Sequence, residues 1–546
     1  MTKFGIIGTT VATVAGATVI VVPTVVALTV RNVDTKARMI YENSVEELKE
    51  ICKIPHSSNK DLVEPDLDND NLRHIRKHIK DKVKEYMGSD ITIMDNRGNI
   101  WFDIPATPGF EKQKPVIFQA HMDMVWAATG EAEHWDPLTD PVSTPVIENV
   151  DGKRVMHSKG WLTSLGADDG QGMAIMLSLA KYHEKIDHCP IRCLFTVDEE
   201  TTVAGAKELD TAVFNDHPYL INVDSPHGGL VMTTSAGLKE FTHHFENVML
   251  ETAETTSVKV TLKDFLGGHS GEDADNGRAN PISLFAKEVQ TLSPEDINFQ
   301  LAGIATSADV ANKIPTDATF EFYTSLPYSI LEKTLLYDFQ SLPSLYPNEK
   351  DAKIAIEQGE TKRVMPLEKS ISLIDAIASF PCGAQDDMRF DDGFIGGSGN
   401  ISAFNWTSDG YYADLSFISS FRYGRDEGWR EKLDYETQDI INKLGASFPE
   451  YKTQIEDGFY VWEDKPNNKL LNLCLDSFKN IGLKGTAAKC HGGLEPSFFC
   501  RKVPDLYQIA IGPTVLNEHN VREQLVLEDY LNTCEVVVQM LKSFNI

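Results

Sequence analysis

The chain has 546 residues, a length that predicts one large domain or two to three ordinary ones, and its 42% hydrophobic and 24% charged residues are typical of a soluble globular protein. The formal net charge of −30 disfavours nucleic-acid binding, because an acidic surface repels phosphate backbones. Eight cysteines without a C-x-x-C pair do not predict a disulfide framework, so we interpret them as mostly free thiols.

The N-terminus departs from this profile. Residues 4–30 contain no charged residue, and as a helix a stretch of this length would span a hydrocarbon core about 30 Å thick. We expect a signal peptide or a membrane anchor within residues 1–32, because a buried core helix this long is rarely apolar on every face. This hypothesis predicts a membrane-anchored or secreted protein, with a cytoplasmic protein as the alternative.

Two helices are predicted next. Residues 43–55 have a helical pattern that ends at a proline. A second helix is predicted within residues 69–88, with Asp70 or Asn71 as its N-cap and Gly88 as its end.

In the rest of the chain, the pattern of predicted strands and helices changes twice. Between residues 115 and 235, short apolar runs alternate with helical stretches, which predicts an α/β layer with a mostly parallel sheet. From about residue 237, alternating strands separated by helices and polar loops indicate an inserted α+β domain. The first pattern returns at about residue 456. The predicted boundaries are therefore 33–236 and 456–546 for the two parts of one split α/β domain, and 237–455 for the insertion.

Five short motifs place a polar residue where an apolar strand ends or a helix begins. These residues are His121 and Asp123 after "VIFQA", Asp168 at a helix start, Asp198, Glu199 and Glu200 after "LFTV", Asp224 after "YLINV", and His519 after "IAIG". Ligands of open α/β sheets bind outside the carboxyl ends of the strands. The topology therefore predicts that several of these side chains meet at one edge.

The residue types favour a metal site. One histidine and one carboxylate per ion, plus a shared carboxylate, suit two cations such as Zn²⁺, Co²⁺ or Mn²⁺. Asp123 is spaced to accept the second ring N–H of His121. The adjacent Glu199 and Glu200 repel each other unless one binds a metal and the other takes the proton of an attacking water.

Each motif also has an ordinary structural explanation. An H-x-D sequence arises mostly by chance, an acidic residue after a strand is usually the start of a solvated loop, and Asp168 fits a helix N-cap. The concentration of five such motifs in one α/β region favours a two-metal hydrolase over these explanations.

The motifs also occur in a familiar order. The series "QAHMDMV", "LGADDGQGMA", "DEE", "NVDS", "GGHSG", "HGGLE" and "IGPT…EH" resembles the aminoacyl-histidine dipeptidases (Xaa-His or beta-alanyl-histidine dipeptidases), which belong to a clan of two-zinc exopeptidases. The resemblance extends from about residue 43 to the C-terminus, and "IPHSS" and "HGGLE" are specific to the dipeptidase branch. It implies a zinc-exopeptidase-like α/β catalytic domain split by an inserted α+β lid domain.

The resemblance implies a ligand set for two divalent metal ions, most often Zn²⁺, with Co²⁺ or Mn²⁺ as alternatives. His121 and Asp224 would bind one ion, Glu200 and His519 the other, and Asp168 would bridge them. A hydroxide shared by the two ions would then attack the peptide carbonyl.

The implied catalytic residues are three. Glu199 would be the general base, Asp123 would orient His121, and His269 of the lid would stabilise the oxyanion. Asp169 stands where the family usually has asparagine, a departure that removes no ligand.

The implied substrate-binding residues are Asn312, Arg422, His491 and Glu495, although ordinary loop or packing roles suit these positions equally well. The family holds the substrate carboxylate with an arginine in a late strand of the lid. On our alignment Ser419 takes that position, and Arg422 lies shortly after it.

The predicted function is therefore metal-dependent hydrolysis of dipeptides, with Xaa-His dipeptides as the narrower expectation. A short peptide is the expected partner, and a homodimer is left open. Related rivals are a metallocarboxypeptidase, a tripeptidase and an N-acyl amino acid deacylase. An inactive membrane-tethered binding protein is disfavoured, because every expected ligand and Glu199 are present.

Overall fold

A large sheet forms the base of the α/β part of the molecule. The computed structural model describes residues 32–59, 65–140, 143–253, 257–292, 299–308, 310–359 and 363–546. Four central strands of the eight-stranded sheet run parallel, which confirms the predicted α/β class. In spatial order its strands are Ile93–Met94, Ile100–Ile104, Ile191–Thr196, Val116–His121, Tyr219–Asn222, Tyr507–Ala510, Leu230–Thr234 and Thr486–Lys489.

The sheet is covered on both faces, because strand side chains alternate between two hydrophobic clusters. In the strand Val116–His121, which is buried throughout, Phe118 packs into the larger cluster and Ile117 into the smaller one on the opposite face. The helices of this part are Thr35–Ile51, Arg73–Met87, Ala167–Lys181, Ala204–Glu208, Lys469–Asn480, Pro496–Lys502 and Leu527–Lys542.

The helix Ala167–Lys181 is the most buried of these elements. Its residues are apolar or small on almost every side, so it packs between the helix Thr35–Ile51 and the sheet rather than facing solvent. Its first turn follows Gly166, whose φ of 74° lies in the left-handed region that glycine adopts readily. This sharp entry brings Asp168 to the edge of the sheet where the strands end.

A smaller antiparallel sheet flanks this part and is made of Val515–Leu516, Gln524–Val526, Lys153–Ser158 and Pro145–Val150. The loop between its first two strands carries His519. Short 3₁₀ helices occur at Gly130–His134, Lys159–Trp161, His183–Lys185 and Thr211–Phe214.

The inserted part has two antiparallel sheets with their own hydrophobic core. One sheet contains Gly383–Ala384, Gly397–Ser408, Tyr412–Tyr423, Gly237–Met249 and Tyr451–Asp457, and the other contains Phe299–Ala305, Ala318–Thr324, Ser257–Lys263 and Lys353–Gln358. Two short ribbons pair Glu251–Thr252 with Arg363–Val364 and Gly268–His269 with Lys313–Ile314. Its helices are Pro281–Leu292, Tyr328–Phe339, Leu342–Leu345, Leu367–Ser379 and Glu427–Ser447.

Helix boundaries differ from the sequence predictions at two places. The first helix begins at Thr35, eight residues before the predicted start, after an N-cap at Asp34. The second begins at Arg73 because the Asp70 carboxylate accepts the Leu72 N–H and pairs with Arg76, which holds the chain in turns. Its predicted end is confirmed, since Gly88 is left-handed with φ 78°.

The apolar segment at residues 4–30 lies outside the described residues. Within the ranges that the structure does describe, no helix combines the length and the apolar character needed to cross a membrane.

Candidate metal centre

The carboxyl ends of three adjacent parallel strands meet at one edge of the large sheet. His121 is the last residue of its strand, and the neighbouring strands end at Thr196 and Asn222. Glu199 and Glu200 follow the first of these neighbours, and Asp224 follows the second. The grouping predicted from strand ends therefore becomes a physical cluster.

Asp168 lies between the two histidines. Its Oδ1 is 3.0 Å from Nε2 of His121, and its Oδ2 is 3.1 Å from Nε2 of His519. One carboxylate thus contacts two imidazoles through different oxygens.

Each histidine has a further carboxylate beside it. Nε2 of His121 is 3.6 Å from Oδ1 of Asp224, and Nε2 of His519 is 2.9 Å from Oε1 of Glu200. The arrangement is two imidazole–carboxylate pairs joined through Asp168. The side chain of His121 is only 1% exposed and that of His519 is 34% exposed, so the second pair lies nearer the mouth of the site.

Asp123 is fully buried behind this cluster. It accepts the backbone N–H groups of Glu199 at 3.0 Å and Glu200 at 3.2 Å, and the Ser58 hydroxyl at 2.7 Å. Nδ1 of His121 is 3.0 Å from the backbone carbonyl oxygen of Asp123 and 3.6 Å from its Oδ1. Asp123 therefore restrains His121 mainly through its backbone carbonyl. Its side chain restrains the turn that carries Glu199 and Glu200, which we call the acidic turn.

Burial and mutual repulsion shift the pKa values of these acids. Burial, together with Glu200, Asp224 and Glu495, raises the pKa of Glu199 well above its ordinary value. Burial raises the pKa of Glu200 to about 7 and that of Asp224 to about 6. The site therefore concentrates more negative charge than its two histidines balance.

The histidines respond in the opposite direction. Burial lowers the pKa of His121, but Asp224, Asp123 and Asp168 outweigh that effect and raise it well above its ordinary value. Glu200 and Asp168 do the same for His519. Each imidazole is therefore placed where a positive charge is favoured.

This donor set fits divalent cations. The ligand atoms of His121, Asp168 and Glu200 lie within 4.8 Å of one another, as do those of His121, Asp169 and Asp224. Imidazole nitrogen and carboxylate oxygen without thiolate are the donors that suit Zn²⁺, Co²⁺ and Mn²⁺. Cations held by these donors would also offset the repulsion between the carboxylates.

His269 lies in a short ribbon of the insertion. Burial and the nearby Arg422 guanidinium lower its pKa to about 3, so the ring is neutral at ordinary pH. Its Nδ1 accepts the Glu272 N–H at 3.0 Å, which leaves the ring hydrogen on Nε2. That nitrogen is 3.4 Å from Nη2 of Arg422, so two donors face the same point, where an anionic oxygen would satisfy both.

Arg422 is 3% exposed. Among the residues that the structure describes, its Nε and Nη1 have no hydrogen-bond partner. Ser419, at the family's arginine position, instead bonds to Nε2 of His243 at 2.8 Å inside the insertion. Arg422 is thus the arginine of this strand that contacts His269.

The other residues expected to bind substrate take different positions. His491 is 4% exposed, and its Nε2 is 2.9 Å from Oγ of Ser398. The backbone carbonyl of Asn312 accepts the N–H of Ser270, the residue directly after His269, at 2.7 Å. Glu495 has no exposed surface, accepts the Thr196 hydroxyl at 2.8 Å, and has its pKa raised by burial to about 8.

Sequence reasoning missed several supporting residues. Ser58 is the last residue of the "IPHSS" motif and bonds to Asp123. Asn59 follows it and bonds to Asp198, so both residues support the acidic turn. Asp169 is fully buried and forms a candidate ligand group with His121 and Asp224. The "IPHSS" motif was a usable signal for the first two, whereas the doubled aspartate gave no indication of how its second member would lie.

Three comparisons extend these observations. The model of Peptidase family M20/M25/M40 matches residues 117–543. The cytosol non-specific dipeptidase of Escherichia coli is 26% identical over 498 residues, which cover 90% of this chain and 95% of that protein. Aminoacylhistidine dipeptidase from Vibrio alginolyticus has a similar structure, with a TM-score of 0.66, 25% identity, and coverage of 92% of this chain and 96% of that one.

The expectation of a membrane-anchored or secreted protein is wrong. It rested only on the apolar composition of residues 4–30, whereas the E. coli relative that aligns with 90% of the chain is a cytosol dipeptidase. An uncharged run of sufficient length satisfies the geometric requirement for a membrane span but does not establish one.

The family model covers well over half of the chain, and the structural similarity extends along both the α/β part and the insertion. The chain therefore belongs to Peptidase family M20/M25/M40 and is a metal-dependent peptidase.

Proposed function

We propose that this enzyme uses two divalent cations to hydrolyse the peptide bond of dipeptides. The preferred cation is Zn²⁺, with Co²⁺ or Mn²⁺ as alternatives, and the ligands are His121, Asp168, Glu200, Asp224 and His519. The observation that carries the proposal is the placement of Asp168 between two imidazoles, each with its own second carboxylate. The dipeptidase relatives support the substrate class.

The cations, when bound, would polarise the scissile carbonyl and increase the acidity of the attacking water. Glu199 would accept the proton of that water and deliver it to the leaving amine. Asp123 would hold the backbone of Glu199 in place during both transfers.

The insertion would supply the anion-binding groups. His269 is neutral, with its hydrogen on Nε2, and would donate to the oxygen that becomes negative as the carbonyl is attacked. Arg422 has donors free for the carboxylate at the substrate's C-terminus. A free carboxylate directly after the scissile bond is a feature of a dipeptide, which supports a dipeptidase over an endopeptidase.

Asn312 and His491 would complete the substrate pocket, and Glu495, which has no exposed surface, would support it from below through Thr196. The contact of Asn312 with the backbone after His269, and that of His491 with Ser398 of the insertion, put both residues near the donors just described. A preference for histidine as the second residue is the narrower form of this proposal. The E. coli relative is named a non-specific dipeptidase and the Vibrio one an aminoacylhistidine dipeptidase, so relatives differ on this point.

The experiment that tests the function uses the full chain with Zn²⁺, Co²⁺ or Mn²⁺. The substrates are Xaa-His and other dipeptides, tripeptides, and N-acyl amino acids. We expect chelator-sensitive cleavage of dipeptides. In Glu199→Gln the rate should fall by roughly 10²- to 10⁴-fold, with metal content unchanged. Glu184→Gln, at an exposed position, is the matched control.

Other outcomes would redirect the proposal. Cleavage of tripeptides or N-acyl amino acids but not dipeptides would keep the mechanism and replace the substrate class. Two bound cations without turnover of any substrate would identify a binding protein.

A further inference from the structure

Glu523 is a buried carboxylate that takes no part in the mechanism described above. Its side chain is 2% exposed, and it lies in the same loop as His519. The sequence motifs assign it no role.

The partners of Glu523 are four consecutive backbone N–H groups. Oε2 accepts from Leu165 at 2.6 Å and Gly166 at 2.9 Å. Oε1 accepts from Ala167 at 2.7 Å and Asp168 at 3.2 Å. Within the described part of the chain, no lysine, arginine or histidine forms an ion pair with Glu523, so these four N–H groups are what stabilises its charge.

These N–H groups belong to the turn that carries Asp168. Leu165 and Gly166 precede the helix Ala167–Lys181, and the backbone at Asp168 is non-helical. Glu523, from a loop far along the sequence, supplies an acceptor for each N–H group of this turn. With the Asp168 N–H held in this way, its carboxylate is directed at both histidines.

The same contact joins two parts of the site. Glu523 ends the loop that begins after Val515–Leu516 and that carries His519, so one side chain fixes this loop against the Asp168 turn. Arg522 braces the loop as well, because its guanidinium is 5.1 Å from the ring of Trp161, which stacks on His157.

We propose that Glu523 is a positioning residue that fixes Asp168 relative to His519, so that the Asp168 carboxylate contacts both His121 and His519 and would be shared by the two cation positions. This inference rests on the proposed function for the existence of two cation sites. It is tested by metal binding, which is measured independently of peptide hydrolysis.

The decisive variant is Glu523→Gln. The amide has the same shape, but its NH₂ group would face two of the four backbone N–H donors, so only one pair would keep an acceptor. Glu523→Asp keeps the charge on a shorter side chain and should retain part of the effect. Glu528→Gln, which alters an exposed glutamate on the next helix, is the control.

The experiment titrates full-length metal-free protein with Co²⁺ and follows the visible spectrum and the magnetic coupling of the two ions by electron paramagnetic resonance. In Glu523→Gln we expect affinity for the second equivalent to fall by roughly 10- to 100-fold and the coupling to weaken. The kcat should fall more than the KM changes. The control should behave as the wild type, and Glu523→Asp should lie between.

Two equivalents bound by Glu523→Gln with wild-type affinity and coupling would overturn the inference, whatever its thermal stability. If that variant does not fold, Glu523→Asp decides by the same criterion. A wild type that binds two coupled ions but hydrolyses no dipeptide would refute the proposed function alone. A wild type that binds only one ion would overturn both.

Discussion

Oδ1 of Asp123 accepts the backbone N–H of Glu199 at 3.0 Å. The carboxylate that was expected to orient a metal-binding histidine therefore also fixes the residue proposed as general base. Since the backbone carbonyl of Asp123 makes the closer contact with Nδ1 of His121, a change of the side chain should affect the acidic turn more than the histidine.

Asp123→Asn should therefore lower kcat by roughly 10- to 100-fold. The amide can accept through one atom only, so one of the N–H groups of Glu199 and Glu200 loses its acceptor. Steady-state kinetics and metal titration of the purified variant measure the two effects.

The matched control for that change is Asp476→Asn, at an exposed position on a distant helix. A loss of metal affinity as large as the loss of kcat would show that the Asp123 side chain acts mainly through His121, against the contacts found here.

His269 should contribute to the rate without shaping the pH profile. Because burial and Arg422 lower its pKa to about 3, its protonated form is populated only below that pH, and the neutral donor persists throughout the working range. His269→Ala should lower kcat by roughly 10²- to 10³-fold, with the acidic limb of the kcat profile unmoved. A limb that shifts or vanishes in the variant would mean that His269 titrates during catalysis.

Arg422 should discriminate substrates by their C-terminal charge. Arg422→Gln removes a charged donor, a loss of about 1.5–3 kcal/mol, or roughly 10- to 100-fold in KM for dipeptides. Dipeptide amides, which lack the carboxylate, should be cleaved poorly by the wild type and be little affected by the substitution. Arg422→Lys should recover only part of the affinity, because a lysine cannot form the two-pronged contact.

An equal effect of Arg422→Gln on dipeptides and their amides would contradict that assignment. It would place the guanidinium at the carbonyl oxygen beside His269, where both substrate types present the same group.

Much of the α/β part could be predicted from sequence because its signals are local. A buried parallel strand such as Val116–His121 is a continuous apolar run, and a buried helix such as Ala167–Lys181 is apolar or small on every side. Residues that follow parallel strands meet by topology, which is why His121 and Asp224 could be grouped before their distance was known.

The supporting contacts could not be predicted in this way. Glu523 bonds to backbone N–H groups some 355 positions earlier in the chain, and backbone donors leave no trace in residue identity. The start of the second helix was missed for a related reason: the Asp70 side chain is committed to Arg76 and the Leu72 N–H, a choice that depends on three-dimensional packing.

Asp169 offers a separate test of the metal centre. Its Oδ1 accepts the Gly172 N–H at 3.1 Å and the Gln171 amide at 2.8 Å, and an asparagine oxygen could accept both. Among the described residues its Oδ2 has no hydrogen-bond partner, so an NH₂ group there breaks no existing bond. We therefore expect Asp169→Asn to bind two equivalents of Zn²⁺ and to keep kcat within about threefold of the wild type, since replacements that preserve shape and partners cost little.

Asp168→Asn is the matched comparison for that variant, because it changes the neighbouring carboxylate that contacts both histidines. It should lose at least one equivalent of Zn²⁺, as measured by metal analysis after dialysis. If Asp169→Asn loses metal to the same extent, the Asp169 carboxylate is itself a ligand. The cation beside His121 and Asp224 would then have Asp169 as an additional carboxylate ligand, beyond the five ligands proposed above.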